Sequence, residues 1–573
     1  MKVRGARLVV EALEAEGVRR VFGIPGTHNI ELWDALESSD SIVPVLVTHE
    51  GGAAFMADGL ARTSGEIGVL AVVPGAGVTH ALSGIAEALM DNVPMVVLAC
   101  GIRNDTGAAF QLHAIDQAAV LRPVTKAVYS LNSADELYAV VRRAFHEAVS
   151  GTPGPVAVTI PANLMMLTQE VESPTWVAPP GGDGAAPEPE MVEEAARRLT
   201  MARQVAIYVG RGAEGAAAEI VRLAETLGAP VCSTFQGKGV FPENHPLWLW
   251  TGFGAQAPRF VRQLMDECDL LLAIGCRFSE VATGSYGMTP PEELIHVDVN
   301  PDVIGKNYPA KLAIQSDAAL FVRALLELLQ GARPWGQLAE SITHGHATVQ
   351  ARWNNEPSQP GVVNPKPFFD ALQRHCREDT VYSTDSGNGT FLAAEHLRLD
   401  APGRFIAPVD FSCMGYSVPA AVGAAMANPG RDVVAIPGDG AFLMTGLELL
   451  TGAAYRAAPL VCVLRDHKLG QIAQFQKVPL NRETCSVLPK YSVAEFAGVI
   501  GARFFRVVHR NELDTVLPAA LESTREGHPA VVEVVLNVSR PTYFTRGVLK
   551  TNFWRLSWGD RIRMLFRALA RRF

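Results

Sequence analysis

The sequence lacks several features that would each point to a class of protein. It has no excess of positive charge, since 50 Lys and Arg stand against 59 Asp and Glu and give a net charge of −9. Binding to nucleic-acid phosphates needs a basic surface, so we expect no nucleic-acid partner. The eight cysteines form no CxxC pair, which predicts neither a zinc site nor a disulfide framework and favours a reducing compartment.

Long apolar runs are also missing. No stretch reaches the roughly 20 uninterrupted apolar residues that a membrane-spanning helix needs. Glu11, Glu14 and Glu16 interrupt the apolar positions of the N-terminus, which is typical of an amphipathic helix and not of a signal peptide. We therefore expect a cytoplasmic protein, with contact to the inner face of the membrane left open by the basic C-terminus.

Short, continuously apolar segments are abundant, and helical patterns separate them. They lie at residues 43–47, 69–73, 95–99, 205–209, 270–274, 433–436 and 460–464. Buried strands of this kind, each followed by a helix, are typical of parallel sheets that are covered on both faces. The predicted class is α/β, with doubly wound parallel sheets.

Two stretches interrupt this alternation and predict domain boundaries. Residues 173–189 are rich in Pro, Gly and Ala, and residues 335–365 are more polar and end in EPSQPGVVNP. Cutting there gives units at 1–175, 190–335 and 365–540, followed by a tail at 541–573. Three units agree with the roughly 100–200 residues of an ordinary domain.

The strongest chemical signal is Gly438-Asp439-Gly440, which follows the predicted strand at 433–436, while Asp466 follows the strand at 460–464. A carboxylate between two glycines at a strand's carboxyl end can bind a hard cation while the backbone approaches a phosphate closely. The alternative is a plain turn, but the second acidic loop after the next strand argues against it. The pattern predicts a metal–diphosphate site.

In these segments the chain resembles the thiamine diphosphate enzyme superfamily, in particular its acetolactate synthase and pyruvate oxidase branch. The resemblance covers essentially residues 1–540 and is carried by GVRRVFGIPG (17–26), THEGGAAFMADGLARTSG (48–65), CDLLLAIGCRF (268–278), CMGYSVPAAVGAA (413–425) and the GDG segment. It implies a pyrimidine-binding domain, a central domain and a diphosphate-binding domain, with thiamine diphosphate and Mg²⁺ as cofactors. It also implies decarboxylation of a small 2-oxo acid, with transfer of the resulting enamine to an acceptor.

The resemblance further implies a role for individual residues. Glu50 would bind the aminopyrimidine ring and promote loss of the thiazolium proton, although a glutamate that caps the helix is the alternative. Met414 would hold the cofactor in its bent shape, with ordinary core packing as the alternative. The remaining candidates are Gln111 and His113 as active-site residues, Gly26, Gly415, Gly438, Gly440 and Ala441 as cofactor-binding residues, and Asp439, Asp466 and Lys468 as the metal site.

Three departures from the family pattern bear on the metal and on the substrate. Arg465 and Asp466 stand where relatives have two asparagines. Val281 ends a run, RFSEV, that lacks the second arginine of the usual RFDDR, and Phe475 replaces the tryptophan near the substrate entrance. Strict acetolactate synthesis is therefore not predicted, and an aldehyde, another oxo acid or a proton remain open as acceptors.

The central unit raises the question of a second cofactor. Gly210 begins GRGAEG, which matches GxGxxG, but the strand at 230–234 does not end in an acidic residue, so nicotinamide is not expected. The resemblance offers FAD instead, through segments around Gly210, Arg277 and Asp298. A flavin-linked, peripherally membrane-bound pyruvate oxidase is thus one alternative function. A catalytically silent binding or regulatory homologue is another, although the three acidic site residues argue against it.

The last residues predict a further surface. The stretch 560–573 reads DRIRMLFRALARRF, with apolar residues on one helical face and five arginines. Such a helix either contacts an anionic membrane or packs its apolar face on the enzyme, and both alternatives remain open. Relatives build the active site from two subunits, so we expect a homodimer or homotetramer.

Overall fold

The computed structural model describes residues 2–171, 175–177 and 185–571 and contains three six-stranded sheets. Every strand pair within these three sheets is parallel, and the small antiparallel pair Lys2–Arg4 with Thr168–Glu170 lies apart from them. Helices cover the sheets, whose central strands are buried along their whole length. The predicted α/β class is confirmed.

The N-terminal sheet is built by residues 20–161. In spatial order its strands are Val43–Leu46, Arg20–Gly23, Gly68–Val72, Met95–Gly101, Pro155–Pro161 and Ala127–Ser130. The helices of this unit are Gly5–Ala15, Ile30–Glu37, Glu50–Ser64, Ala76–Met90, Gln117–Leu121, Leu137–Val149 and Ala162–Met166. Counted along the chain, the strand order is 2-1-3-4-6-5.

The central sheet is built by residues 205–315 and has a different order, 3-2-1-4-5-6. In spatial order its strands are Trp248–Thr251, Val231–Ser233, Val205–Val209, Leu270–Ile274, Glu293–Asp298 and Leu312–Gln315. The helices are Pro189–Met201, Ala217–Leu227, Arg259–Asp266, Ala318–Leu328 and Gly336–Asn354. This order is the one found in dinucleotide-binding folds.

The C-terminal sheet, residues 381–535, repeats the order 2-1-3-4-6-5 of the N-terminal sheet. In spatial order its strands are Phe405–Ile406, Val381–Thr384, Val433–Ile436, Leu460–Arg465, Ala530–Val535 and Arg503–Val507. The helices are Pro365–His375, Asn388–His396, Ser417–Ala427, Asp439–Thr445, Leu449–Ala454, Gly470–Leu480, Val493–Val499 and Leu513–Arg525. All three sheets fall inside the predicted units, whose boundaries stay predictions.

One predicted linker is wrong over most of its length. Residues 335–365 contain the helix Gly336–Asn354, which has nineteen residues. Ile342, Val349 and Trp353 are buried against the core of the central unit, so the polar residues of this stretch are only its solvent face. The first predicted linker, 173–189, lies largely outside the described residues.

The tail forms two helices, Tyr543–Arg555 and Trp558–Ala570. The second contacts the helix Gly470–Leu480, where Asn481 Nδ2 donates a hydrogen bond to the carbonyl oxygen of Ala568. Its apolar stripe points away from the enzyme and consists of Ile562, Leu565, Phe566 and Leu569, which are 46–68% exposed. The stripe is thus not packed on the enzyme. Arg572 and Phe573 lie outside the described residues.

No helix in the described part of the chain combines the length and the apolar character that are needed to cross a bilayer. This agrees with the absence of a long apolar run in the sequence.

Candidate active site

A pocket of about 110 Å³ opens at the carboxyl edge of the C-terminal sheet. It lies beyond Val381–Thr384 and Val433–Ile436, the neighbouring strands at which the strand order reverses, and α/β sheets place ligands at such points. Six of the residues predicted from the sequence line it. They are Met414, Gly438, Gly440, Ala441, Asp466 and Lys468.

Asp439 is the first residue of the helix Asp439–Thr445 and is completely buried. Its Oδ2 accepts a hydrogen bond from the backbone N–H of His467 at 2.8 Å, whereas its Oδ1 has no hydrogen-bond partner among the described residues. Burial raises the pKa of this carboxyl group. A buried carboxylate oxygen without a partner is costly, and a cation bound at Oδ1 would remove that cost.

Like Asp385, Asp466 lines the pocket. Burial, and then the negative charge of Asp439, raise its pKa to about 7. A Cβ atom at Gly470 would lie 2.1 Å from Asp466 Oδ2, so the carboxylate needs glycine at that position. The negative charge of Asp439 thus raises the pKa of Asp466, and two such carboxylates fit a hard divalent cation, which prefers oxygen ligands.

Arg465 lies behind this pair and does not line the pocket. Its Nη1 is 3.5 Å from Asp439 Oδ2, and its Nε is 3.5 Å from Glu533 Oε1. The guanidinium stacks over the ring of Tyr491 at 4.0 Å, and the Tyr491 hydroxyl donates to the carbonyl oxygen of Asp439. Arg465 therefore offsets part of the negative charge from the protein side and leaves the pocket side free.

Lys468 lines the pocket, but its ammonium group cannot be a metal ligand, because it carries only donors. Its Nζ forms an ion pair with Glu483 Oε2 at 2.8 Å. The predicted metal role of Lys468 is therefore restricted to its backbone carbonyl oxygen.

The predicted glycines leave room for a ligand or fix the loop geometry. A Cβ atom at Gly438 would meet nothing within 4 Å, so this backbone faces open space. Gly415 has φ +85°, its N–H donates to Asp385 Oδ1 at 2.9 Å, and its carbonyl oxygen accepts from Thr445 Oγ1 at 2.7 Å. These bonds fix the backbone beside Met414, which lines the pocket.

The sequence analysis missed the loop at 385–389, which forms one wall of the pocket. Asp385 accepts hydrogen bonds from the backbone N–H and the hydroxyl of Ser417, both at 2.8 Å. Asn388 Nδ2 is buried without a hydrogen-bond partner in the described part of the chain, so it is free to donate to a bound phosphate. The signal was present as SGNG directly after the strand Val381–Thr384.

Glu50 lies at the equivalent reversal point of the N-terminal sheet, beyond Arg20–Gly23 and Gly68–Val72. It is the first residue of the helix Glu50–Ser64, while His49 takes the cap position and its Nδ1 accepts from Gly51 N–H. The capping alternative for Glu50 is therefore wrong, although the residue remains in the first turn.

The carboxylate of Glu50 is 10% exposed and faces a turn of small residues. A Cβ atom at Gly77 would lie 3.4 Å from Glu50 Oε1. A Cβ atom at Gly26 would lie 2.7 Å from a methyl carbon of Val73, which precedes the same turn. Gly26 and Glu50 therefore belong to the same edge of the sheet.

Two histidines flank Glu50. His80 Nδ1 lies 3.0 Å from Glu50 Oε2, and the rings of His49 and His80 stack at 4.8 Å. The ligand atoms of these three residues lie within 4.8 Å of one another, a spacing that could hold a metal ion. Two imidazoles suit zinc better than Mg²⁺, so we do not place the magnesium site there.

The loop that carries Gln111 and His113 is mostly exposed. Gln111 Nε2 donates to the carbonyl oxygens of Arg103 and Ala108 in its own loop, and no contact in the described part of the chain joins it to Glu50. His113 lies closer to the site, because its carbonyl oxygen is 2.7 Å from a Cβ atom placed at Gly75. The structure thus brings His113, but not Gln111, to the turn beside Glu50.

A separate cleft of about 310 Å³ lies at the reversal point of the central sheet and includes Gly210, Arg277 and Asp298. A Cβ atom at Gly210 would lie 2.1 Å from the carbonyl oxygen of Gly275, so this glycine already serves the packing of two strand ends. Arg277 forms an ion pair with Asp410 at 2.5 Å, which joins the central and C-terminal units.

Three family models match the chain, one for each sheet. They are the N-terminal thiamine pyrophosphate (thiamine diphosphate) binding domain over residues 3–120, the thiamine pyrophosphate enzyme central domain over 192–325, and the C-terminal thiamine pyrophosphate binding domain over 385–534.

Relatives that match most of the chain are named as acetolactate synthases. The chain is 32% identical over 553 residues to the "Probable acetolactate synthase large subunit" of Methanocaldococcus jannaschii, covering 93% of this chain and 92% of that protein. It is 30% identical over 562 residues to "Acetolactate synthase isozyme 3 large subunit" of Escherichia coli, covering 94% and 96%. The figures for "Acetolactate synthase 1, chloroplastic" of Zea mays are 34% over 494 residues, covering 82% and 75%. The chain therefore belongs to the thiamine diphosphate-dependent enzymes, on the acetolactate synthase branch.

Proposed function

We propose that this enzyme uses thiamine diphosphate and Mg²⁺ to decarboxylate a 2-oxo acid and transfers the remaining acyl group to an acceptor. The observation that carries the proposal is the buried carboxylate of Asp439, with the half-buried Asp466 and an open glycine backbone beside it. Asp439 Oδ1 has no hydrogen-bond partner in the described part of the chain, and Asp466 shares the same pocket edge. These residues would hold Mg²⁺, while Gly438 and Asn388 would face the diphosphate.

When bound, the cofactor supplies the carbon nucleophile that attacks the 2-oxo group and holds the electron pair after carbon dioxide leaves. The chain supplies the proton chemistry at Glu50, whose carboxylate is nearly buried and can bind a ring nitrogen of the aminopyrimidine. His80 lies within hydrogen-bond distance of that carboxylate and is half exposed, so it can exchange its proton with solvent.

Glu50→Gln tests this assignment. The amide keeps the shape of the side chain but cannot accept and return the proton, so turnover should fall by about 10²–10⁴-fold. Carbon dioxide release from pyruvate and other 2-oxo acids is the assay, and calorimetry should show nearly unchanged cofactor affinity. Full turnover of Glu50→Gln would contradict the assigned role.

The functional unit in this proposal is a homodimer or a larger homo-oligomer. Among the described residues, those that line the diphosphate pocket all lie between 385 and 538, and Glu50 is not one of them. In the same chain the backbone N–H groups of Thr48 and His49, before Glu50, donate to Glu448, which does not line the pocket. A run of exposed apolar residues beside the pocket fits a subunit contact. It consists of Leu443, Met444, Leu447 and Leu450.

Mixing two inactive variants tests the shared site. A dimer of one Glu50→Gln chain and one Asp439→Ala chain contains one intact site only if Glu50 and Asp439 come from different chains. Random subunit exchange should then restore about a quarter of wild-type activity, because half of the dimers are mixed. No recovery after verified exchange would contradict a site shared between subunits.

FAD stays a candidate second cofactor, for which the cleft at Gly210 and Arg277 is the proposed site. A scan of the purified protein for flavin absorbance tests it. The named relatives are synthases, so they add no support to the flavin-linked oxidase alternative.

We also propose that the exposed stripe of the last helix contacts an anionic membrane. Trp554 and Trp558 are exposed just upstream, and three arginines of the helix, together with Arg571 at its C-cap, supply positive charge. Each basic residue near such a surface is worth about 1 kcal/mol. Co-sedimentation with anionic and neutral liposomes is the test, comparing the wild type with Leu565→Glu and with the distant control Leu328→Glu. If the wild type does not pellet with anionic liposomes in low salt, or Leu565→Glu pellets equally, the contact is refuted.

A further inference from the structure

The tail forms one side of a partly open cavity that plays no part in the chemistry proposed above. The cavity measures about 730 Å³ and lies between the helix Gly470–Leu480 and the two C-terminal helices. Its walls are mainly apolar, and Leu549, Phe553 and Met564 are among them. We call it the tail chamber.

A third cavity of about 180 Å³, which we call the channel, adjoins both the tail chamber and the diphosphate pocket. Channel and chamber share Phe475 and Val548 as lining residues. Channel and diphosphate pocket share Ser386, Gly387 and Gln471. The three cavities therefore form a row that leads from the diphosphate pocket towards the tail helices.

The channel contains no positive charge. Its one charged lining residue is Glu280, whose Oε1 accepts a hydrogen bond from Ser285. Val281, Phe391 and Phe544 form apolar walls. A second carboxylate in this channel would lose water without gaining a cationic partner, which is unfavourable. The channel thus favours an acceptor that is uncharged near its reacting carbonyl group.

We propose that the acceptor is an aldehyde with a large apolar group, whose carbonyl end reaches the diphosphate pocket while the apolar group occupies the tail chamber. This inference rests on the proposed function. The donor loses carbon dioxide, and its former 2-oxo carbon forms a new bond to the aldehyde carbon. The electron pair of the aldehyde double bond moves to oxygen, which takes up one proton. The product is a 2-hydroxyketone, and no oxidant or reductant is needed.

The apolar surface of the chamber determines how strongly kcat/KM should depend on the chain length of the aldehyde. Each methylene group that moves from water into an apolar cavity should raise kcat/KM about fourfold, which corresponds to ~0.8 kcal/mol. The rise should stop when the chamber is full. The experiment uses the full-length holoenzyme, pyruvate as the donor, and straight-chain aldehydes from acetaldehyde to decanal.

Two substitutions on the last helix provide a matched pair. Met564→Lys replaces an apolar wall residue by a charged one, in addition to Asp560, Arg563 and Arg567, which already line the chamber, and should abolish the increase with chain length. Ile562→Lys places the same charge on the exposed face of the same helix and should preserve the increase. Leu549→Gln, on the preceding helix, repeats the test independently of how the last helix packs.

The possible outcomes distinguish a failure of the acceptor inference from a failure of the proposed function. If carbon dioxide is released but kcat/KM does not rise with aldehyde length, the acceptor inference is overturned and the proposed function stands. Preference for a second 2-oxo acid over every aldehyde overturns it equally, as does the same slope in Met564→Lys and the wild type. If no 2-oxo acid is decarboxylated, the proposed function itself fails.

Discussion

Replacing Arg62 by Met should be among the most destabilising single changes in this chain. Its guanidinium donates to both carboxylate oxygens of Asp58, at 2.6 and 3.2 Å, and to Asp91 Oδ2 at 3.0 Å. It also reaches Gln236 of the central unit and the carbonyl oxygen of Ala407 in the C-terminal unit. One side chain therefore joins all three sheets.

The magnitude follows from burial. The Arg62 side chain is 2% exposed, and the side chains of Asp58 and Asp91 are fully buried. Without the guanidinium, two buried carboxylates lose their cation, and breaking such a pair costs about 3–5 kcal/mol. Arg4 offers the control, because its ion pair with Glu31 is largely exposed and such pairs are worth about 0–1 kcal/mol.

Urea unfolding followed by tryptophan fluorescence gives the comparison. The unfolding midpoint of Arg62→Met should fall far below that of Arg4→Met. Adding Asp91→Asn to Arg62→Met should recover part of the loss, because one unpaired charge is then removed. Equal midpoints for Arg62→Met and Arg4→Met would refute the reasoning.

Three further predictions concern the metal pocket, and calorimetric titration of the cofactor in Mg²⁺ buffer checks all of them. Asp439→Ala should abolish Mg²⁺-dependent cofactor binding, since the ion loses a buried anionic ligand, and unchanged affinity would mean that the metal lies elsewhere. Asp466→Asn should be tolerated, because the amide keeps an oxygen ligand and relieves repulsion from Asp439, whereas loss of binding would show that the charge is required. Gly470→Ala should weaken cofactor binding, because the added Cβ atom displaces the Asp466 carboxylate. Gly215→Ala is the control, since a Cβ atom there meets nothing within 4 Å and should leave binding unchanged. Equal cofactor affinities of the two variants would contradict the steric argument.

The fold class was predictable because each buried strand is marked by its own short apolar segment of sequence. A strand buried on both faces must be continuously apolar, so Val205–Val209 and Leu270–Ile274 were read directly from the sequence. The helix Gly336–Asn354 was missed because its polar face dominates the composition. Ile342, Val349 and Trp353 recur at helical spacing and were the signal that could have identified it.

The site was predictable in part. Glycines and carboxylates at strand ends predicted the pocket beside Asp439, because parallel strands bring their carboxyl ends to one edge. The direction of Arg465 was not predictable, since it depends on Tyr491 and Glu533, which come from distant parts of the chain. Asn388 was missed because its proposed role depends on a side-chain Nδ2 that has no hydrogen-bond partner among the described residues. Only the folded structure shows whether a side chain has such a partner.

The N- and C-terminal sheets have the same strand order. Each therefore has a similar reversal point, one of which would bind the aminopyrimidine end of the cofactor and the other the diphosphate end. The N- and C-terminal sheets pack through a pair of helices, Glu50–Ser64 and Ser417–Ala427. Their contact is reciprocal, because a Cβ atom at Gly59 would lie 2.1 Å from the carbonyl oxygen of Ala420 and one at Gly423 would lie 2.0 Å from that of Met56.

We expect two sheets of the same order, related by such a reciprocal contact, to present their reversal points in different directions within one chain. The backbone N–H groups of Thr48 and His49, directly before Glu50, donate to Glu448, and Glu50 is not among the residues that line its own chain's diphosphate pocket. A second copy, placed with the opposite orientation, can bring the missing edge to each pocket, since a twofold contact supplies both sites at once. The close helix pairing that stabilises the monomer is thus also the reason that we expect the active site to need two chains.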